Sequence, residues 1–371
     1  MKILFVLENH YPNIGGVETL FKSLTESLVK EGYTVTILTN QYDKSLKRKE
    51  VLNGVSIIRV PFYNRYLFTL LAFFPAWRLA MSHDLIHTTS YNAGLPAFFA
   101  GLFSRTKVII TFHEVWGRLW FKLPYIGKIS SRFHFLFEQF LVRLPFTHFI
   151  AVSEATKKRL QESSVKSNKV TRIYNGIDYS EFDKISINEP IQNKNSKTYT
   201  FLYFGRLGIS KGLDLLLEAI KLLNEKNNNF RLNLVIPLEP NNFHQLIIKT
   251  LKEYGVDDKV DIYSELPYSE LQELIQQADA VVIPSYSEGF GFTAVESMAL
   301  GRPIISSGKG SLAEVVTGKH LTMKEQTGRG LAIALELAME EKWEEIPLRK
   351  FHLQDSIKAY TALYKQLSKS D

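Results

Sequence analysis

The sequence has no cysteine. Disulfides and thiolate metal sites are therefore excluded, and a reducing compartment, the cytoplasm, is the expected location. It also lacks any apolar run long enough to span a bilayer. The opening segment, apolar over residues 3–7, is too short for a signal peptide and reads as a first strand. Acids are in deficit, 38 against 45 Lys and Arg, for a net charge of +7. That balance favours an anionic partner: phosphates, a phospholipid surface or nucleic acid. The deficit is local. Residues 62–81 contain no acid, and residues 116–146 contain only Glu138.

What is present is organised around residues 280–301, AVVIPSYSEGFGFTAVESMALG. Ala280, Val281, Val282 and Ile283 form a short apolar run that reads as a buried strand, ended by Pro284 and Ser285. A loop with Glu288, Gly289, Phe290 and Gly291 follows, then a short helix over 293–300, with Gly301 at its C′ position. Strand, glycine-rich loop and helix start make an anion site, because free backbone N–H groups and the helix dipole point at the loop. Glu288 and Glu296 flank it, and a carboxylate there can accept two hydroxyls of a sugar or ribose. The bland alternative is a loop glutamate and a solvated helix glutamate.

A chain of 371 residues suits two domains. The first opens as strand, loop, helix and strand, which predicts a parallel sheet with right-handed crossovers. Its loop ends in Gly15 and Gly16, which would let a ligand approach the backbone or simply make a tight turn. The strand at 107–111 delivers Phe112, His113 and Glu114 to the sheet's carboxyl edge, where ligands of open α/β sheets bind. Ser153 is placed to cap a helix starting at Glu154. The acid-poor stretches interleave aromatics with Arg65, Arg78, Arg118, Lys122, Lys128, Arg132 and Arg143. They read as interfacial helices on anionic lipid, or as core aromatics with a solvated basic face. Residues 185–197, rich in Asn, Lys, Glu and Pro, read as a linker.

The second half repeats the pattern. A strand over 198–204 leads into Gly205-Arg206-Leu207-Gly208-Ile209-Ser210-Lys211-Gly212 and an amphipathic helix over 213–226. Glycines with two cations before a helix make a diphosphate cradle, in which Arg206 can bind two oxygens and Lys211 acts as a point charge. Exposed loop cations are the alternative. A polar-faced helix over 351–368 closes the chain.

Taken together, Gly15-Gly16-Val17-Glu18, Thr111 to Glu114, Asn175 to Asp178, Gly205-Arg206 with Lys211-Gly212, and the segment from Pro284 through Glu288 to Glu296 resemble the retaining glycosyltransferases of family 4. The resemblance covers nearly the whole chain. It implies an α/β chain of GT-B fold, two Rossmann-like domains facing each other across a deep cleft. The expected division is an acceptor-binding domain (1–184), a linker (185–197), a nucleotide-sugar-binding domain (198–350) and a final helix (351–371) crossing back to the first domain. It implies a metal-independent transferase that moves a hexose-type sugar, with retention, from a UDP- or GDP-linked donor. The acceptor would be a lipid-linked or saccharide molecule, in glycolipid, glycan or polysaccharide synthesis; the basic aromatic stretches, read as interfacial, would add a peripheral place on the inner face of the membrane. Arg206 and Lys211 would hold the donor diphosphate, and Glu296 the ribose hydroxyls. Glu288, with the amides of Gly289, Phe290 and Gly291, would hold the sugar and β-phosphate. His113 would contact the sugar near its anomeric carbon, and Gly15 and Gly16 would admit the diphosphate or acceptor. No cofactor and no metal is expected.

The chain departs from the family pattern at three places. Pro237-Leu238-Glu239-Pro240 replaces a glycine-rich turn, Ser264 stands near an expected glycine, and Ser311 replaces the second of two glycines, with Glu314 kept. Other classes fit less well. Gly289-Phe290-Gly291-Phe292-Thr293-Ala294 matches a dinucleotide fingerprint, but the next strand ends in Ser306-Ser307-Gly308 without the acid a nicotinamide cofactor needs. The basic aromatic stretches carry no nucleic-acid reading motif. The remaining alternative is a non-catalytic sugar-nucleotide or glycolipid binder on the same fold.

Overall fold

Alternating apolar strands and amphipathic helices build two mainly parallel sheets. The computed structural model describes all residues except 14, 125, 184–197, 227–228, 239–240, 265 and 369–371, and the backbone alone at 241. The stretch read as a linker, 185–197, and Glu239 and Pro240 of the altered turn lie outside the described residues. Residues 1–121, 127–177 and 351–371 form one compact unit, and residues 122–126 and 178–350 a second.

In the first unit the chain runs β1 (Lys2–Val6), α1 (Gly16–Lys30), β2 (Thr34–Asn40), β3 (Lys49–Leu52), β4 (Val55–Val60), α2 (Arg65–Leu71), α3 (Phe73–Ala80) and β5 (Leu85–Thr89). It continues through α4 (Gly94–Ser104), β6 (Lys107–Phe112), α5 (Lys128–Arg143), β7 (His148–Ala151), α6 (Glu154–Glu162) and β8 (Val170–Arg172). Strand order is β3-β4-β2-β1-β5-β6-β7-β8, parallel except for the edge strand β3. The order reverses at β1, so the loops after β1 and β5 part at the sheet's carboxyl edge.

The period-two alternation of each strand sorts its side chains between two cores. Ile3 and Phe5 meet Phe21, Leu24 and Leu28 of α1. Leu4 and Val6 share the opposite core with Phe68 of α2, Ala76 and Ala80 of α3, Ala97 and Ala100 of α4, and Leu141 and Val142 of α5. The acid-free stretch thus folds as two short helices. Asn64 starts α2 by accepting from the Tyr66 N–H at 2.8 Å. Ser153 caps α6 as expected, accepting from the Thr156 N–H at 3.1 Å.

The second unit contains α7 (Ser180–Asp183), β9 (Tyr199–Phe204), α8 (Leu213–Glu225), β10 (Phe230–Val235), α9 (Asn241–Glu253), β11 (Val260–Tyr263), α10 (Tyr268–Gln277) and β12 (Ala280–Ile283). After these come α11 (Phe292–Ala299), β13 (Ile304–Ser306), α12 (Leu312–Val315), β14 (Gly318–Thr322), α13 (Gly328–Met339) and β15 (Glu344–Ile346). Strand order is β11-β10-β9-β12-β13-β14-β15, with β15 antiparallel. Here the reversal falls at β9, between β10 and β12.

The last helix, α14 (Leu353–Ser368), packs beside α1 and puts Ile357, Tyr360, Leu363 and Tyr364 into the first unit's core. It begins at Leu353 rather than 351, because 351 and 352 run extended and Ile177 pairs with His352 as an isolated bridge. The Tyr364 hydroxyl meets His87 Nδ1 at 2.7 Å, and the Thr111 hydroxyl meets Nε2 at 2.8 Å. Burial, and secondarily the neighbouring His113, push the His87 imidazole down to about 3.

A histidine whose pKa falls on folding destabilises the fold as pH drops below its unfolded value of about 6.5. The first unit should therefore lose stability progressively from pH 6.5 toward 3. Tyr364→Phe should cost roughly 1–3 kcal/mol at neutral pH by leaving a buried ring nitrogen unsatisfied. Urea melts followed across pH check both; a flat profile with an unaffected variant would contradict this account.

Candidate active site

Two loops part at the carboxyl edge of the second sheet where strand order reverses: residues 205–212 after β9 and 284–291 after β12. They are joined at several points. Gly212 sits in the left-handed region (φ +68°), and a Cβ there would run into the Pro284 carbonyl oxygen. The Tyr286 N–H donates to the Ser210 carbonyl at 2.7 Å, and its hydroxyl to Asp214 Oδ2 at 2.6 Å.

Across this junction Lys211 Nζ donates to Glu288 Oε1 at 2.7 Å. Ser285 Oγ donates to the same oxygen, also at 2.7 Å. Ser285 is itself fixed, since its carbonyl accepts from Ser307 Oγ at 2.6 Å and Gln326 Nε2 at 3.2 Å. The Glu288 main chain is held too. Its carbonyl accepts the Ser311 N–H at 2.9 Å. Gly310 (φ +61°) lies so close that a Cβ would strike that oxygen. Arg206, exposed on the same loop as Lys211, makes no ion pair among the described residues. One strongly held carboxylate, two cations and a glycine loop thus stand together.

The glycine loop ends at the N-terminus of α11. Gly291 is its N-cap (φ +85°), with Phe290 buried and packed against Phe292 at 5.1 Å. The first-turn amides and the helix dipole favour an anion there. Glu296 lies half-buried on this helix, and desolvation pushes its carboxyl up to about 7. Gly301 stands at C′ (φ +72°), as expected. Of the altered positions, Ser264 Oγ donates to the Ile236 carbonyl at 2.9 Å, and Ser311 is fully buried.

The remaining expected residues belong to the first unit. His113, half-buried just beyond β6, sets its ring edge-on to Phe21 of α1, with centroids 6.0 Å apart. Gly16 opens α1 and Gly15 is its N-cap, with Asn13 Nδ2 donating to Glu18 Oε1 at 3.2 Å beside it. Nearby, burial and then Arg59 push His10 down to about 4. Arg59 is pinned by Glu50 at 2.6 Å and by the carbonyls of Lys47 and Tyr11. Gly15, Gly16 and His113 therefore belong to one unit, with His113 against the second turn of α1. Arg206, Lys211, Glu288, Gly289, Phe290, Gly291 and Glu296 belong to the other.

The sequence signature of Glycosyltransferase Family 4 matches residues 14–181, and that of Glycosyl transferases group 1 matches residues 184–349. The chain belongs to the family 4 glycosyltransferases. This glycosyltransferase is 28% identical over 340 residues to an uncharacterised glycosyltransferase of Methanocaldococcus jannaschii, covering 86% of this chain and 83% of the relative. It is 27% identical over 336 residues to alpha-monoglucosyldiacylglycerol synthase of Streptococcus pneumoniae, covering 86% and 74%. Its fold matches sucrose-phosphate synthase from Thermosynechococcus elongatus with a TM-score of 0.79 at 20% identity, over 100% of both chains. The two α/β units are those of the GT-B fold.

Several positioning groups of the glycosyltransferase were not singled out from sequence. Ser285 had a local signal, three residues ahead of Glu288 in the same loop. Asp214 had another, an acid in the first turn of a helix. Gln326 had none, since its bond to Ser285 spans 41 residues. Among the described residues no group of three His, Asp or Glu is placed to hold a metal ion. A cavity of about 250 Å³ between α8 and α9 is lined by Leu207, Gly208 and Ile209 of the same loop and by Asp214, but by none of Lys211, Glu288 or Glu296.

The raised Glu296 carboxyl carries a pH signature of defined sign. An acid whose pKa rises on folding from 4.5 to about 7 contributes stability below pH 4.5 that is lost as pH climbs through 7. Glu296→Gln should therefore melt higher than wild type at pH 8, by an amount on the order of 1–3 kcal/mol. Thermal melts at pH 5 and pH 8 check this; equal gains at both would discount the burial effect.

Proposed function

We propose that this glycosyltransferase moves a hexose-type sugar from a UDP- or GDP-linked donor to a lipid-linked or saccharide acceptor, with retention at the anomeric carbon. The observation that carries the reading is the cluster of Lys211, Glu288 and Ser285 against the α11 start, with Arg206 on the adjoining loop. An anion with attached hydroxyls suits that cluster: phosphate oxygens for the cations and amides, hydroxyls for the carboxylates. The relative that makes monoglucosyldiacylglycerol supports a lipid acceptor.

In this reading Arg206, Lys211 and the amides of Gly289, Phe290 and Gly291 stabilise the charge that develops on the leaving diphosphate. Glu288 binds sugar hydroxyls and Glu296 the ribose. The bond from the anomeric carbon to the phosphate oxygen breaks while the acceptor oxygen bonds to the same face. The acceptor's proton passes to the departing phosphate. His113 lies against the sugar, and Gly15 and Gly16 leave room for the diphosphate or acceptor. Synthesis of glycolipid, glycan or polysaccharide on the cytoplasmic side of a membrane is the setting that fits this chemistry.

A thermal-shift panel of UDP-, GDP- and ADP-sugars tests donor binding, because a ligand that binds only the folded state raises the melting midpoint. NMR of the product anomer tests retention. Lys211→Ala and Glu296→Ala should each abolish transfer with the fold intact. Activity within about threefold of wild type, roughly 0.7 kcal/mol, would remove them from the site. Transfer should also survive EDTA, since cations and amides already meet the diphosphate charge. Loss restored by magnesium would overturn that point. A donor shift without any turnover would return the protein to a sugar-nucleotide binder.

A further inference from the structure

The helices that cover one face of the first sheet are apolar on both sides. Inward, α2 to α5 bury Phe68, Ala76, Ala97 and Leu141. Outward, α5 exposes Ile129, Phe133, Leu136 and Phe140, spaced 4, 3 and 4 residues apart and so in one stripe. The α2–α4 group exposes Leu70, Phe74, Leu102 and Phe103, with Phe103 packed on Phe73 at 5.6 Å. Helices α4 and α5 pack through their inner sides, where Phe98 meets Phe146 beyond α5 at 5.3 Å and Leu141 lies over Gly94. Leu70, Phe74, Phe103, Ile129 and Phe133 are each at least 63% exposed. Four large apolar side chains exposed in one stripe on α5 mark an interaction site.

Charge identifies the partner. Residues 61–143 carry nine Lys or Arg and three acids, of which Arg65 pairs with Glu8 and Lys107 donates to the Leu367 carbonyl. The acids are not on the outer stripes. Glu138 is fully buried, accepting from the Tyr91 hydroxyl, the Trp116 and Gly117 N–H groups and the Trp120 indole. Asp84 precedes β5 and accepts from the Lys2 N–H, while Glu114 is half-buried just beyond β6. Lys128, Arg132 and Arg143 are exposed on the same helix as the α5 stripe. A second copy on a two-fold axis would set these cations against themselves. A lipid surface instead offers phosphates to the cations and an acyl boundary to the rings.

We infer that the outer face of α2 to α5 docks on an anionic phospholipid surface, with Ile129, Phe133, Leu136 and Phe140 entering the headgroup boundary beside Lys128, Arg132 and Arg143. This rests on the proposed transferase reading only for its purpose, the capture of an acceptor anchored in lipid.

The full chain should co-sediment with vesicles of phosphatidylcholine and phosphatidylglycerol at low salt, at least tenfold more tightly than with phosphatidylcholine alone. The double variants Ile129→Glu/Phe133→Glu and Lys128→Glu/Arg132→Glu should each weaken binding tenfold or more while keeping wild-type melting and donor thermal shift. Brominated lipid should quench Trp77, judged against Trp77→Phe. No binding by wild type at low salt, or wild-type binding by the Ile129/Phe133 variant, would overturn the inference. A wild-type oligomer that ignores vesicles and is split by that variant would overturn it in favour of self-association. Vesicle binding without donor binding would sink the transferase reading and leave the docking face standing; donor binding without vesicle binding would do the reverse.

Discussion

The bond from Lys211 to Glu288 is the contact on which the second unit's site depends. It joins the loops that leave the adjacent parallel strands β9 and β12, with the two side-chain ends 2.7 Å apart. Gly212 and Gly310 remove the side chains that would hold the strands of loop apart, and Ser285 adds a second donor to the same carboxylate oxygen. The pair is largely shielded, with the two side chains 24% and 11% exposed, so its attraction is less screened than that of a surface pair. With Lys211 paired to Glu288, the unpaired positive charge nearby resides in Arg206 and the α11 dipole. In the proposed reading a phosphate would share Lys211 with that carboxylate.

The first unit uses the same device with a different outcome. Glu138 gathers two main-chain N–H groups, an indole and a phenol, and so freezes the turn at 116–120. Burial, and then that carboxylate, hold the Tyr91 hydroxyl protonated well above its ordinary range. At the other side of the switch point Glu8 takes Asn92 Nδ2 at 2.7 Å and Arg65 at 3.3 Å, which ties α2 and the loop after β5 to the end of β1. In each unit a carboxylate with several donors sets loop shape at the carboxyl edge of a sheet.

Much of this was legible in the sequence because the informative signals are local. The run Ala280–Ile283, the glycines after it and the helix ended by Gly301 fall where spacing put them. So do β1, α1 and β9, each displaced by a residue or so. The aromatic stretch 62–81 reads as either interfacial or core; Phe68, Ala76 and Ala80 are interior, while Leu70 and Phe74 are exposed. What escaped was long-range. The His87–Tyr364 bond spans 277 residues, and nothing in either neighbourhood signals it. Helix α4 is apolar nearly all round, so it shows no amphipathic period to read. Glu138 stands out in the sequence only as the sole acid of 116–146, whereas its role in the fold follows from burial.

The placement of α14 has a consequence for how the protein comes to be made. Tyr360 and Tyr364 are fully buried in the core built by α1 and the first sheet, yet they are synthesised after the whole of the second unit. A chain emerging from a ribosome completes the second unit's sheet before the first can close over its own interior. Until then the core beside α1 lacks Ile357, Tyr360, Leu363 and Tyr364. The earliest-made half is thus the last to mature, and a chain that stops short of residue 353 would present a finished second unit attached to an open first one, a natural target for chaperones and proteases.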